Sequence, residues 1–221
     1  MTEPTCALCD DTGFESYDLD GMGYARPCAC GGGGGKPDPL ASAGVPERER
    51  GFTSAGLNEH QQTYRDRAAG FVTVGDSVIL MGPSGRGKTG IAVCLMRDAT
   101  TAGKSIAWCH VSTWLRDIRE TFDRKDEDGE RMHSEASLVR ELIAADVAVV
   151  DDLGAHRMTD WTQDMIFAVV NGRDSSNKAT VYTTNLPMAD VERIYGERVS
   201  SRLARCVKMT IKDGPDRRRR G

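Results

Sequence analysis

The chain has 221 residues, 39% of them hydrophobic, which is enough to bury a core and excludes wholesale disorder. Charged residues make up 28% and sum to −4, a balance that by itself argues against a uniformly basic nucleic-acid-binding protein. There is no run of about 18 apolar residues and no basic segment followed by an apolar stretch at the start. Neither a membrane span nor secretion is expected, and the sequence reads as cytoplasmic.

Taken in chain order, the first stretch is residues 1–30, which carry six acids against one Arg. Four of the seven cysteines fall here: Cys6-x-x-Cys9, eighteen residues, then Cys28-x-Cys30. Two close thiol pairs across a Gly-containing loop suit tetrahedral Zn²⁺, and so short a segment with few aliphatic residues needs a metal to fold. Redox or disulfide use is the competing reading. Residues 31–46 form a flexible linker, because the five glycines Gly31–Gly35 lose much backbone entropy on ordering. Residues 47–221 are the expected main domain.

From about residue 70 the pattern alternates strand and helix. Apolar or β-branched runs at Ser77–Met81, Ser105–His110, Val147–Val150, Thr180–Thr183 and Cys206–Ile211 have strand length, with amphipathic stretches between them. This alternation predicts an α/β fold, a parallel five-stranded sheet flanked by helices. The polar stretch Arg124–Ser134 reads as an exposed loop.

Gly82-Pro83-Ser84-Gly85-Arg86-Gly87-Lys88-Thr89 fits G-x-x-x-x-G-K-[S/T] between the apolar strand Val78–Met81 and the helical pattern Ile91–Met96, and Gly90 after the octet is counted with the nucleotide-binding residues. Glycines let successive N–H groups wrap around a phosphate, and the helix N-terminus adds its dipole. Lys88 is expected to reach the β- and γ-phosphates of ATP, with the Thr89 hydroxyl ligating Mg²⁺. The acidic partner is Asp146–Gly154, an apolar strand ending in two carboxylates. Asp151 is expected to accept from a magnesium-bound water and Asp152 to serve as general base. Asn185, closing Thr183-Thr184-Asn185, could orient the attacking water or sense the γ-phosphate, although Asn after a strand is ordinarily a turn residue.

In combination, GPSGRGKT at 82–89, VAVVDDLG at 147–154, TTN at 183–185 and YGERVSSRL at 195–203 resemble the AAA+ helicase loaders of the DnaC/DnaI type and the related IstB-type transposition helper ATPases. Trp161, Asn171 and Arg173 are weaker matches, and the resemblance covers roughly residues 45–220. It implies an AAA+ P-loop ATPase in which Arg202 is the arginine finger reaching an adjacent subunit, with Arg198 as the fallback on the same helix face. Such a cation raises rates by about 10³–10⁵-fold in NTPases. Arg218 in Gly214-Pro215-Asp216-Arg217-Arg218 matches the family's nucleotide-sensing arginine, although Arg217 stands where an aromatic is usual. Residues 217–220 could instead form a basic tail.

The resemblance further implies a replicative DNA helicase and single-stranded DNA as partners, head-to-tail self-association on the partner, and an N-terminal zinc-binding module that engages the helicase. Double-stranded DNA and a transposase are the corresponding partners if the chain is an IstB-type helper. A non-catalytic, nucleotide-dependent adaptor is the third possibility. Cys94, Cys109 and Cys206, like Trp108, Trp114 and Trp161, fit packing positions. His60, His110, His133 and His156 lack ligand spacing and carry no assigned chemistry.

Overall fold

The computed structural model describes residues 14–19, 22–28, 38–123, 135–155 and 158–212, and the chain divides into two compact units, residues 1–42 and 43–221. The first holds an antiparallel hairpin of β1 (Phe14–Leu19) and β2 (Met22–Pro27), in register from Phe14 opposite Pro27 to Leu19 opposite Met22, and the single-turn helix α1 (Pro39–Ser42). Cys28 follows β2 and is buried. Cys6, Cys9 and Cys30 lie outside the described residues, as do Gly31–Gly35, Arg124–Ser134 and Arg217–Arg220.

The second unit begins with α2 (Glu47–Arg50) and a 3₁₀ turn at Ser54–Gly56. Next come α3 (Glu59–Val74), β3 (Val78–Met81), α4 (Lys88–Thr101), β4 (Ile106–His110) and α5 (Val111–Asp123). The remaining elements are α6 (Glu135–Ala144), β5 (Val147–Leu153), α7 (Asp160–Ser175), β6 (Ala179–Thr184), α8 (Met188–Tyr195), α9 (Glu197–Leu203) and β7 (Val207–Thr210). All five expected strands form, and they pair in parallel in the order β4-β5-β6-β3-β7.

The three inner strands β3, β5 and β6 are buried along nearly their whole length, as a parallel sheet covered by helices requires, β4 is buried except at its two ends, and at the edge strand β7 only Met209 is fully buried. Ile79, Met81, Cys109, Val150 and Tyr182 face a core completed by α5 to α9, including Ile118, Ile166, Tyr195 and Leu203. The alternate strand residues, such as Val78 and Leu80, face the layer of α3 and α4. Helix α4 is buried from Gly90 through Met96, which explains why its sequence is nearly all apolar rather than amphipathic. Two helix starts are set by local sequence: Asn58 with Gln61, and Thr159 with Thr162, close reciprocal capping boxes on α3 and α7. Among the described residues no helix is long and apolar enough to cross a membrane.

One buried cation ties this architecture together. Arg173, on α7, donates to the carbonyls of Leu142, Ile143 and Ala145 at the end of α6, and to Ala179 and the Thr180 hydroxyl at the start of β6. Those carbonyls have no partner within their own helix, and a cation is favoured at a helix C-terminus. Burial pushes the guanidinium down to about 10, so it remains charged at neutral pH. Arg173 is therefore a structural clamp in the subunit rather than a surface group. Arg173→Met keeps most of the volume but removes every donor, and is expected to cost about 3 kcal/mol in urea denaturation. A loss below about 1 kcal/mol would contradict the clamp.

Candidate nucleotide-binding site

Parallel pairing puts the C-terminal ends of the strands along one edge. Met81 lies beside Thr184 on one side and Thr210 on the other, Leu153 lies beside Thr184, and His110 lies beside Asp151. Loop 82–87, the two acids and Asn185 therefore meet at one sheet edge, where ligands of open α/β sheets bind.

The loop leaves β3 through a narrow gap. The Gly82 N–H donates to Thr184 O at 3.3 Å, and Ile211 N–H donates to Met81 O at 2.7 Å. A Cβ at Gly82 would lie 2.3 Å from the Ile211 carbonyl oxygen, and φ there is +142°, so only glycine fits. Gly85 and Gly87 also have positive φ, 79° and 89°, and Gly87 is the residue from which α4 starts.

Lys88, the first residue of α4, is buried, and its side chain folds back over the loop. Its Nζ donates to Gly82 O at 2.8 Å, Pro83 O at 2.9 Å and Asn185 Oδ1 at 2.7 Å. The amide of Asn185 continues the chain, donating from Nδ2 to Asp152 Oδ1 at 3.0 Å. Asn185 thus sits between the lysine of the loop and the second acid. Asp152 has φ +60°, at the irregularity where β5 slips against β6 after Val150. This turns its carboxylate away from the strand's pleat.

Asp151 is the buried acid. Thr183 Oγ1 donates to its Oδ1 at 2.6 Å, and Thr89 Oγ1 donates to the same oxygen at 3.1 Å. The Thr183 hydroxyl also accepts from Asp152 N–H at 2.9 Å, so one threonine orients both acids. Burial pushes the Asp151 carboxyl above the ordinary carboxylate range, and nearby Asp152 adds to this. The hydroxyls of Thr183 and Thr89 and the charge of His110 oppose the rise.

Five of the sequence-derived site residues (Lys88, Thr89, Asp151, Asp152 and Asn185) thus form one hydrogen-bonded set around the loop. The Thr89 hydroxyl and Asp151 carboxylate are hard oxygen donors of the kind Mg²⁺ takes. Arg202 lies in a different cluster: its Nε donates to Asn171 Oδ1 at 2.9 Å and its guanidinium lies 5.0 Å from the centre of the Phe167 ring. Arg198 lies over the same ring at 3.9 Å, so both candidate fingers rest on α7. Arg218 lies outside the described residues.

Three contributors were missed by sequence reasoning. Thr183 was visible only as part of a strand end. His110 could have been found by noting that it ends its strand as Asp151 ends the apolar part of the next. Gln61 is buried and donates from Nε2 to Arg86 O at 2.9 Å across 25 residues of sequence, a contact with no local signature.

The sheet order, the glycine loop and the two-acid strand define a P-loop nucleotide-binding domain of the AAA+ type. The family model described as IstB-like ATP binding protein matches residues 49–208, and the chain belongs to that family. The replicative helicase loader DnaC of Escherichia coli K12 is 28% identical over 127 residues, 58% of this chain and 49% of that protein. This chain therefore matches about half the length of that relative. A putative ATP-binding protein in an insertion sequence of Mycobacterium tuberculosis is 26% identical over 162 residues, 71% of this chain and 61% of that protein. Among solved structures, the DnaC helicase loader superposes with a TM-score of 0.62 at 20% identity, covering 76% of this chain and all of that one, a likeness of fold.

A raised carboxyl pKa has a definite consequence for stability. The folded chain retains a proton on Asp151 that the unfolded chain has released, so this contribution is full at low pH and declines as pH rises from the ordinary carboxylate range through the raised folded value. Asp151→Asn keeps an acceptor for the two threonines and removes the buried charge. The metal-free variant is expected to be more stable than the parent at neutral pH, with a flatter decline above the carboxylate range. Equal or lower stability at neutral pH in paired thermal melts would count against a desolvated carboxylate.

Proposed function

We propose that the chain is an ATP-dependent loader that helps place a ring-shaped replicative helicase on single-stranded DNA, hydrolysing ATP at a subunit interface. The observation that carries the ATP reading is the Lys88–Asn185–Asp152 chain of hydrogen bonds beside the Thr89–Asp151 pair. The loader reading is supported by similarity to DnaC over 58% of this chain.

In this reading Gly82, Pro83, Ser84, Gly85, Arg86, Gly87 and Gly90 frame the phosphates, and Lys88 exchanges its contacts with the Gly82 and Pro83 carbonyls for phosphate oxygens. Thr89 and Asp151 would hold Mg²⁺, which would neutralise part of the phosphate charge. Asn185, already bonded to Asp152, positions that carboxylate and the water whose proton it accepts. Lys88 stays within reach of Asn185, so loss of the γ-phosphate is felt directly at the acid. Arg202 would leave Asn171 and Phe167 to enter the site of a neighbouring subunit arranged head-to-tail, where a cation offsets the charge on the transferred phosphoryl group.

The C-terminal stretch carries nine Lys and Arg between 198 and 221, and those not assigned to nucleotide would supply salt-dependent and weakly sequence-selective contact with the DNA backbone. Arg218 is assigned to sensing nucleotide. Cys6, Cys9, Cys28 and Cys30 are assigned to a structural Zn²⁺ in an N-terminal module that docks on the helicase.

A second reading, a transposition helper acting on double-stranded DNA, is favoured by the wider coverage of the insertion-sequence relative, 71% of this chain. Binding preference between single- and double-stranded DNA separates the two. A non-catalytic adaptor would bind ATP tightly without turnover under any partner condition.

Steady-state ATPase assays with and without helicase and single-stranded DNA test the proposal. Lys88→Ala is expected to abolish turnover, and Arg202→Ala to lower it at least about 100-fold with ATP binding retained. Unchanged turnover in Lys88→Ala, or no ATP binding by the parent chain, overturns the reading.

A further inference from the structure

We infer that Gln61 is a positioning residue for the phosphate loop: its side-chain amide locks the Arg86–Gly87 peptide in the orientation that presents the Gly87 N–H to a bound phosphate. The inference rests on the nucleotide reading of the loop and adds to it a residue outside the loop that keeps it in shape.

Gln61 is 2% exposed and lies in the first turn of α3. It serves two neighbours. Its Oε1 accepts from the Asn58 N–H at 3.2 Å while its own N–H donates to Asn58 Oδ1 at 2.9 Å, closing the capping box of α3. Its Nε2 donates to the Arg86 carbonyl at 2.9 Å. The amide is packed hard on the loop, since a Cβ at Gly87 would lie 2.3 Å from Nε2 and 2.9 Å from Cδ.

The contact matters because of where the freedom of the loop lies. Rotating one peptide unit changes ψ of the residue before it and φ of the residue after it. After this unit comes Gly87, at φ +89°, a residue that crosses between positive and negative φ with little penalty. The Arg86–Gly87 peptide is thus free to flip on backbone energetics alone. In a trans peptide the C=O and the following N–H point in opposite directions, and no cis peptide occurs among the described residues. Holding the Arg86 carbonyl toward α3 therefore holds the Gly87 N–H on the opposite side, away from α3. A flip would withdraw that donor and turn a carbonyl oxygen toward the anion. The same helix also grips the other side of the loop's exit: Tyr64, one turn on, donates from its hydroxyl to Thr210 O at the end of β7 at 2.8 Å.

The two duties of Gln61 are separable. Gln61→Glu keeps an acceptor for the Asn58 N–H, and glutamate is as good a capping-box residue as glutamine. It cannot donate to the Arg86 carbonyl and places a carboxylate against it. Asn58→Ala does the converse, weakening the cap and leaving the loop bond. The test measures binding of a non-hydrolysable ATP analogue with Mg²⁺ to the full chain, alongside thermal melts and the ATPase KM and kcat.

Gln61→Glu is expected to weaken binding roughly tenfold and raise KM with kcat little changed, while its melting temperature stays near that of the parent. Asn58→Ala is expected to melt lower with affinity within about twofold of the parent. Gln61→Ala removes the donor without introducing charge and is the deciding variant if the glutamate variant does not fold; its affinity is expected to fall several-fold. Parent-like affinity in Gln61→Ala, or losses of affinity that merely track melting temperature across the three variants, overturns the positioning role and leaves the nucleotide reading intact. Absence of analogue binding by the parent chain defeats the nucleotide reading itself.

Discussion

The register that sets Met81 beside Thr184, and Leu153 beside the same threonine, is the constraint on which the site depends. In a parallel sheet a slip of one residue turns every side chain to the other face. Such a slip of β6 would carry Thr183 away from Asp151 and Asn185 away from Lys88. The register is held by burial: Val78 to Met81 and Ala179 to Thr184 are buried throughout, so no shifted pairing leaves both cores filled. Stability and site geometry thus have the same origin, and the Arg173 clamp at the start of β6 fixes one end of the strand whose other end carries Thr183 to Asn185.

The edge so assembled holds opposite charges out of water. Lys88 is buried with two loop carbonyls and Asn185 as acceptors, and Asp151 is buried with two hydroxyl donors. In these contacts Lys88 meets neutral acceptors and Asp151 meets hydroxyl donors, as the requirement that buried charges be hydrogen-bonded demands. The threonine between the acids and the asparagine between lysine and acid connect the two halves. Chains of this kind polarise one another, so a change at the loop is expected at the second acid as well.

What could be read from the residues alone divides by distance along the chain. The octet at 82–89, the apolar strand ending in Asp151 and Asp152, and the five strand positions are local patterns, and local chemistry dictates them: glycine for positive φ, apolar runs for a sheet buried on both faces. The bonds that make a site of these pieces span 31 to 97 residues, as between Thr183 and Asp152 and between Lys88 and Asn185, and no local pattern encodes them. Asn185 looked equally like a turn residue until β6 was placed beside β3. Gln61 was hidden because its capping-box spacing fully explains a glutamine there. Arg173 was drawn in by resemblance and is a core clamp, whereas its neighbour Asn171 holds Arg202.

The most direct measurement of the central claim is calorimetric titration of ATP into the full chain in the presence and absence of Mg²⁺, repeated with Thr89→Val. Valine matches threonine in shape and lacks only the hydroxyl that bonds Asp151. If loop, lysine, threonine and buried acid form one nucleotide site, the parent binds ATP about tenfold or more tightly with Mg²⁺ than without, and the variant loses that difference. Equal affinity with and without the metal, or a variant that keeps the full metal dependence, would contradict it.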